Sequence, residues 1–360
     1  MRDLLYQFTL KPFFFRLSPE DAHELSRKLL EFADLLPGVF SIVEEFSTYK
    51  SPRLKTVVSG IKYSNPLGMA AGFDKTGELY PFLGRLGFGF VEVGTVTGEA
   101  QPGNPKPRIF RYEKDQALVN RMGFNNPGSE KLLKYLETQT KTIPRGINAG
   151  KTKLVSEENA VQDYVKTFSL TKDHLDYGVI NISSPNTPGL RNFQQKDSFL
   201  NLITGIKQGL GGSFPFPMYV KLAPDLSENE FDELMELILE VGLNGVVLTN
   251  TTVDKSVLKN YKDPESGGIS GQILQSRSTY LIKRAYSRLK GRIPIIGVGG
   301  IMDGPSALEK ILAGADLIQI YTGYIYKGPF LPFTILEYLD KYMEKNNIDS
   351  ISKAVGTGGL

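Results

Sequence analysis

From about residue 65 onward, short runs of β-branched and apolar residues alternate with stretches whose apolar positions recur at helical spacing, the pattern of a parallel sheet covered by helices. Eight such runs stand at 66–71, 90–93, 146–149, 177–183, 218–222, 245–249, 294–298 and 317–321. Residues 228–241 show the helical half of the pattern: Phe231, Leu234, Leu237, Ile238 and Val241 share one face, and acidic residues occupy the other. Alternation alone also allows an open doubly wound sheet, because periodicity does not report closure. The count of eight favours a closed α/β architecture, a (β/α)8 TIM barrel.

Three segments break the rhythm. Residues 98–128 carry Pro102, Pro105 and Pro107 in a polar, hairpin-like stretch, read as a long loop over the barrel mouth. Residues 1–45 precede the alternation and form a separate helical extension. Leu4, Leu5, Phe8, Phe13, Phe14 and Phe15 are followed by Ser18-Pro-Glu-Asp, an N-cap with proline in the first turn. In the helix that starts there, Ala22, Leu25, Leu29, Phe32 and Leu36 form one stripe, and Pro37 and Gly38 end it. Such a helical pair either docks on the barrel or lies in a membrane interface. Residues 46–350 then hold the barrel, and the glycine-rich residues 351–360 read as a flexible tail.

Composition narrows the chemistry. The 360 residues suit one barrel plus an appendage. The net charge of +3, without any long basic run, gives no footprint for nucleic acid. No cysteine is present, which excludes disulfides, thiolate nucleophiles and cysteine-ligated iron–sulfur clusters. The two histidines, His23 and His174, make a metal centre a poor expectation. No run approaches the ~18 apolar residues of a spanning helix, and no cleavable signal is evident.

In a barrel the active site lies at the carboxyl ends of the strands, and here those ends are polar. They carry Gly72-Phe-Asp-Lys75, Gly94-Thr95, Asn148, residues 181–186, Lys221 and Thr249-Asn-Thr251, a set suited to one heteroaromatic ligand. After the seventh and eighth runs come Gly299-Gly300-Ile301 and Tyr321-Thr322-Gly323, the two loops that form the usual barrel phosphate site. A phosphate-bearing cofactor, in a chain without thiols or metals, points to flavin mononucleotide as the electron carrier. Lys221 stays open at this level: a Schiff-base nucleophile, a charge beside a reduced flavin, or a rim lysine paired with an acid.

Five motifs, in order, resemble those of the dihydroorotate dehydrogenases, specifically the membrane-associated class 2 enzymes that pass electrons to quinone. They are Asn-Pro-Leu-Gly-Met-Ala-Ala-Gly-Phe-Asp-Lys at 65–75, Asn-Arg-Met-Gly-Phe-Asn at 120–125 and Asn-Ile-Ser-Ser-Pro-Asn-Thr-Pro-Gly-Leu-Arg at 181–191. Gly-Gly-Ile-Ser-Gly at 267–271 and Ile-Ile-Gly-Val-Gly-Gly at 295–300 complete them. The resemblance implies one FMN held by Ala71, Gly72, Lys75, Thr95, Asn148, Asn181, Lys221, Thr249, Ser270, Gly271, Gly300, Tyr321 and Thr322. It implies a dihydroorotate site formed by Lys75, Asn120, Arg121, Met122, Gly123, Phe124, Asn181, Asn186, Asn250 and Thr251. It further implies oxidation of dihydroorotate to orotate in pyrimidine biosynthesis, with Ser184 as the base that removes the C5 proton and Thr187 and Phe124 beside it.

Serine is a poor base unaided and no histidine is at hand, so a relay through Thr187 and ordered water, helped by Lys75, is expected. Class 1 relatives use a cysteine base, and one variant adds an iron–sulfur subunit; the absence of cysteine disfavours both here. The extension would then form a quinone tunnel with His23, Arg111 and Tyr321 near its inner end, on a protein attached peripherally to the cytoplasmic face of a bacterial cell membrane. The sequence departs from relatives at Ala149 and Thr152, where a bulkier apolar residue and asparagine are common. Rival readings are another FMN barrel such as a dihydrouridine synthase, which would want a cysteine and a basic surface; a lysine-dependent non-redox barrel; and a membrane-surface binding module.

Overall fold

Short strands buried on both faces must bond to neighbours on both sides, and in the computed structural model, which describes residues 6–36 and 38–358, they do so by closing on themselves. Two short strands come first, β1 (Thr56–Val58) and β2 (Ile61–Tyr63), and then the barrel begins with β3 (Leu67–Met69) and β4 (Phe90–Val96). A hairpin, β5 (Ile109–Tyr112) and β6 (Ala117–Asn120), interrupts it before β7 (Arg145–Ala149), β8 (Tyr177–Asn181), β9 (Met218–Leu222) and β10 (Gly245–Leu248). After β11 (Gly268–Gly271), β12 (Ile295–Val298) and β13 (Leu317–Ile320) complete the ring. The closed order is β3-β4-β7-β8-β9-β10-β12-β13, with every pairing parallel. All eight expected runs are barrel strands; β3 and β8 are shorter than expected and β4 runs on to Val96.

The strands' outer faces pack against a ring of helices that includes Glu228–Glu240, where a Ser227–Glu230 capping box starts the helix and Phe231, Leu234, Leu237 and Ile238 are buried as expected. Inside the barrel, the floor is aromatic: Phe90, Tyr177 and Tyr219 cluster with Val58 and Tyr63 of the β1–β2 hairpin, which plugs the end away from the site. Glycines on neighbouring strands make room for these rings. A Cβ on Gly68 would lie 2.4 Å from Phe90, and one on Gly146 would lie 2.2 Å from Tyr177.

Over the opposite end, the 98–128 segment is the hairpin its pattern suggested, but β11 joins β6 to make a three-stranded antiparallel sheet. The extension has more helix than expected: after a π-helical turn, Tyr6–Leu10, come α1 (Lys11–Phe14), α2 (Pro19–Leu35) and α3 (Val39–Ser47). Ser18 caps α2 by accepting from the Asp21 N–H at 3.2 Å. Because α3 ends at Ser47 and buries Phe40 against Phe82, the helical extension passes the boundary placed at 45. Leu29, Phe32 and Leu36 of the stripe face solvent, with Leu35, Ile42 and Phe46 beside them in sequence. Leu4, Leu5 and Pro37 lie outside the described residues.

The flexible tail is a correction. Residues Ile351–Ala354 form a 3-10 turn that buries Ile351 and Ala354, and the N–H groups of Gly356 and Gly358 donate to Ile311 and Leu312. Two apolar anchors outweigh the glycines' freedom; residues 359–360 lie outside the described range.

Candidate functional site

The polar residues foreseen at the strand ends converge on one pocket at the barrel rim. Ala71, Gly72, Lys75, Thr95, Asn181, Lys221, Thr249, Ser270, Gly271, Gly300, Tyr321 and Thr322 line it, together with Asn120, Met122, Gly123, Phe124, Ser184, Asn186, Asn250 and Thr251. The sheet lid contributes because β6 ends at Asn120 and β11 at Gly271, opposite the barrel strands.

A web of side-chain amides fixes the geometry. Asn181, at the end of β8, donates to Thr95 Oγ1 and to Asn148 Oδ1, both at 3.1 Å. Its own Oδ1 accepts from Ser183 Oγ at 3.1 Å and from Asn250 Nδ2 at 3.3 Å. Asn186 donates to the Asn120 carbonyl at 3.1 Å, tying the serine-bearing loop to the lid. On the far side Ser270 and Thr322 share a 2.9 Å hydroxyl contact. Asn148 does not line the pocket: it is fully buried beneath Thr95 and Asn181.

Two lysines supply the charge. Lys75 donates to Asn125 Oδ1 at 2.9 Å, and burial, reinforced by Arg108, pushes its pKa down to about 7. Burial lowers Lys221 as well, and Glu92 acts in the opposite direction. Around the glycines the backbone is left-handed, with φ +99° at Gly72, +115° at Gly271 and +74° at Gly300. A Cβ on Gly300 would lie 2.3 Å from the Gln275 backbone, so no other residue brings that loop so close.

Ser184 is buried at the pocket wall, where its Oγ accepts from the Asn186 N–H at 3.3 Å. Arg191 clamps the loop by donating to the Ser183 and Thr251 carbonyls, both at 3.0 Å. Thr187 is also buried, but its hydroxyl makes no hydrogen bond and it is not on the wall, so no direct link joins it to Ser184. Arg121 is a correction. It follows the end of β6 with its guanidinium on Glu265 at 2.8 Å and over the Phe110 ring, so the side chain leaves the pocket.

A second cavity, of about 860 Å³, lies between α2 and the rim. His23, Arg111 and Tyr321 line it, with Leu29, Leu30 and Val43 of the extension. The His23 ring stands edge-on to Phe73 at 5.0 Å, and Phe73 to Tyr321 at 5.6 Å. Burial, with Lys75 adding to it, lowers the His23 pKa to about 4, so the imidazole is neutral at physiological pH. Arg111 donates to the Leu17 carbonyl at 2.7 Å and lies over Phe15, holding the turn between α1 and α2. Gly72, Lys75, Ile109, Leu118, Met122 and Tyr321 line both cavities.

Two interior residues escaped the sequence reading. Glu92 and Gln319 are fully buried, and a 2.7 Å hydrogen bond joins them under the pocket. The signal was a lone polar residue inside an apolar run, Val-Glu-Val and Ile-Gln-Ile.

A family model described as dihydroorotate dehydrogenase matches residues 53–343. The chain is 42% identical to the dihydroorotate dehydrogenase (quinone) of Christiangramia forsetii over 342 residues, covering 95% of this chain and 99% of the relative. It is 44% identical to the Gloeobacter violaceus protein of the same name over 352 residues, covering 96% and 97%. Among solved structures, DHODH from Eimeria tenella in complex with ferulenol superposes with a TM-score of 0.85 at 34% identity, covering 94% of this chain and 95% of that one.

Proposed function

The chain belongs to the dihydroorotate dehydrogenase family, and from that premise we propose that the rim pocket holds FMN and dihydroorotate together while the cavity under α2 admits the quinone. The enzyme oxidises dihydroorotate to orotate in pyrimidine biosynthesis, with a quinone as final electron acceptor. The observation that carries the two-site reading is the shared wall: Gly72, Lys75 and Tyr321 face both cavities, so one planar cofactor there would touch donor and acceptor sites at once.

The residues present fit FMN. Left-handed glycines at Gly271 and Gly300, with the Ser270–Thr322 hydroxyl pair, offer the close backbone approach a phosphate needs. Gln319 lines the pocket with a buried, unpaired Oε1, an acceptor suited to a ring N–H or a ribityl hydroxyl. FMN, when bound, supplies a hydride acceptor for C6 of dihydroorotate and a two-electron donor for quinone.

The chain's own residues do the rest. Asn120, Asn186 and Asn250, held by hydrogen bonds to Gly268, Asn120 and Ser183 respectively, present amides to the ring edges of the substrate, and Lys75 faces its carboxylate. Ser184 Oγ takes the C5 proton, with Thr187 as the nearest unsatisfied hydroxyl in sequence to pass it on through water. Exposed Leu29, Phe32, Leu35 and Ile42 support peripheral attachment to a membrane surface, which in a bacterium would be the cytoplasmic face of the cell membrane. Among the described residues no helix is long and apolar enough to cross one.

Anaerobic absorbance spectra test the whole reading. The purified protein is expected to show an oxidised flavin band that dihydroorotate bleaches and a soluble quinone restores; a colourless protein, or a band that dihydroorotate leaves unchanged, refutes it. Gly300→Ala is expected to lower the flavin-to-protein absorbance ratio severely, because a Cβ there meets backbone at φ +74° and costs about 1–3 kcal/mol in strain alone.

A further inference from the structure

We propose that Glu92 is a positioning residue of the cofactor site: its carboxylate, below the pocket, turns the amide oxygen of Asn148 toward Thr95 and Asn181 and that of Gln319 into the pocket, and favours Lys221 as the cation at the wall. The inference rests on the reading that FMN occupies the rim pocket.

Glu92 lies in the middle of β4 with its side chain inside the barrel, fully buried. Its Oε1 accepts from Asn148 Nδ2 and its Oε2 from Gln319 Nε2, both at 2.7 Å. A carboxylate only accepts, so each amide must spend its NH2 group downward and point its oxygen the other way. The Asn148 oxygen then receives Thr95 Oγ1 at 2.6 Å and Asn181 Nδ2 at 3.1 Å. That in turn commits Asn181 to offer its own oxygen to Ser183 and Asn250. The Gln319 oxygen, on the other flank, is left buried and unpaired at the pocket wall. One acid thus sets the polarity of two arms of the site.

The same acid accounts for a charge. Two neutral amides do not cancel a buried carboxylate, which needs a cation in the low-dielectric interior. The titratable groups on which Glu92 acts electrostatically are Lys221 of β9 and Tyr177 of β8, while β7 and β13 contribute the two hydrogen-bonded amides. Lys221 makes no side-chain hydrogen bond among the described residues, and it is at the pocket wall. Among the described residues no ion pair joins Lys221 to Glu92, so the carboxylate acts on the ammonium at longer range through the buried interior, while Lys221 itself stands at the pocket wall.

The test is the flavin midpoint potential of the holoenzyme as a function of pH, for the wild type, Glu92→Gln and the double variant Glu92→Gln/Lys221→Met. Glutamine keeps the shape but removes the charge and lets the amides reverse. At low pH, where Lys221 stays protonated, the Glu92→Gln site is one unit more positive, favours the reduced anionic flavin and lies above the wild type in potential. As pH rises Lys221 loses its proton earlier than in the wild type, so the potential falls with an added slope, and that break vanishes in the double variant. FMN is expected to dissociate about tenfold more readily from Glu92→Gln, as for one buried hydrogen bond turned the wrong way. Parallel curves of equal height with unchanged FMN affinity would overturn the proposal. If Glu92→Gln fails to retain flavin, Glu92→Asp, which keeps the carboxylate, must retain more of it; equal loss in both also overturns it. A wild-type protein that carries no flavin would instead sink the FMN reading itself.

Discussion

Ser184→Ala is expected to keep its flavin and its fold while losing about 10²–10⁴ in the rate of flavin reduction by dihydroorotate, the range for removal of a positioned general base. Ser184 contributes no hydrogen bond that the fold depends on: its Oγ accepts only the neighbouring Asn186 N–H at 3.3 Å. The loop is held instead by Arg191 on Ser183 and Thr251 and by Asn186 on Asn120. Loss of the hydroxyl should therefore leave cofactor affinity and thermal stability near the wild type. Stopped-flow absorbance after anaerobic mixing with dihydroorotate reads the step directly. The titratable groups on the pocket wall are Lys75, Lys221 and Tyr321. Tyr321 is raised to about 12 by burial, but Lys75, near 7, could itself take a proton. A Ser184→Ala enzyme that reduces its flavin at near-normal rate would move the base to Lys75. With serine as the base, the wild-type rate should climb with pH, because the hydroxyl must shed its proton first.

The barrel was legible because parallel strands are buried on both faces and so appear as unbroken apolar runs, and because eight of them were countable. Its polar rim was legible for the same reason: at the end of an apolar run, Asn181, Lys221 and Thr249 stand out. What could not be read depended on contacts between distant segments. β6 and β11 are some 150 residues apart, and nothing local in Gly268–Gly271 announces that it pairs with Ala117–Asn120. Arg121 sits inside a run whose neighbours line the pocket, yet a residue beyond a strand end can turn away, and here Glu265 draws it outward. The C-terminal segment read as flexible from its glycines, whereas two small apolar anchors, Ile351 and Ala354, decide its position. Glu92 was visible as an anomaly in β4, but its partners come from β7 and β13, so its meaning had to wait for closure.

Removal of residues 1–36 is expected to separate the two half-reactions. Flavin reduction by dihydroorotate should persist, since every residue of the rim pocket belongs to the barrel and its lid. Reoxidation by a long-chain quinone should collapse, because α2 supplies the wall of the second cavity through Ala22, His23, Ser26, Leu29 and Leu30. Keeping α3 preserves Phe40, which packs against Phe82 and under Arg85. The truncation also strips Tyr6, whose hydroxyl donates to the Ile325 carbonyl at 2.8 Å, and Glu20, which accepts from Arg108. Some loss of stability is therefore expected and a milder variant is needed beside it. Ala22→Trp serves, as Ala22 is buried at the cavity wall and an indole would fill part of the 860 Å³ while leaving the barrel untouched. The quinone KM should rise about tenfold or more, equivalent to roughly 1.4 kcal/mol of lost binding, with the dihydroorotate KM unchanged. The comparison of acceptors decides the assignment. A small soluble dye that reaches the flavin through the rim should be reduced at the wild-type rate by both variants. If long-chain quinone is also reduced normally by both, the cavity is not its route, and the exposed apolar face of α2 would then serve attachment alone.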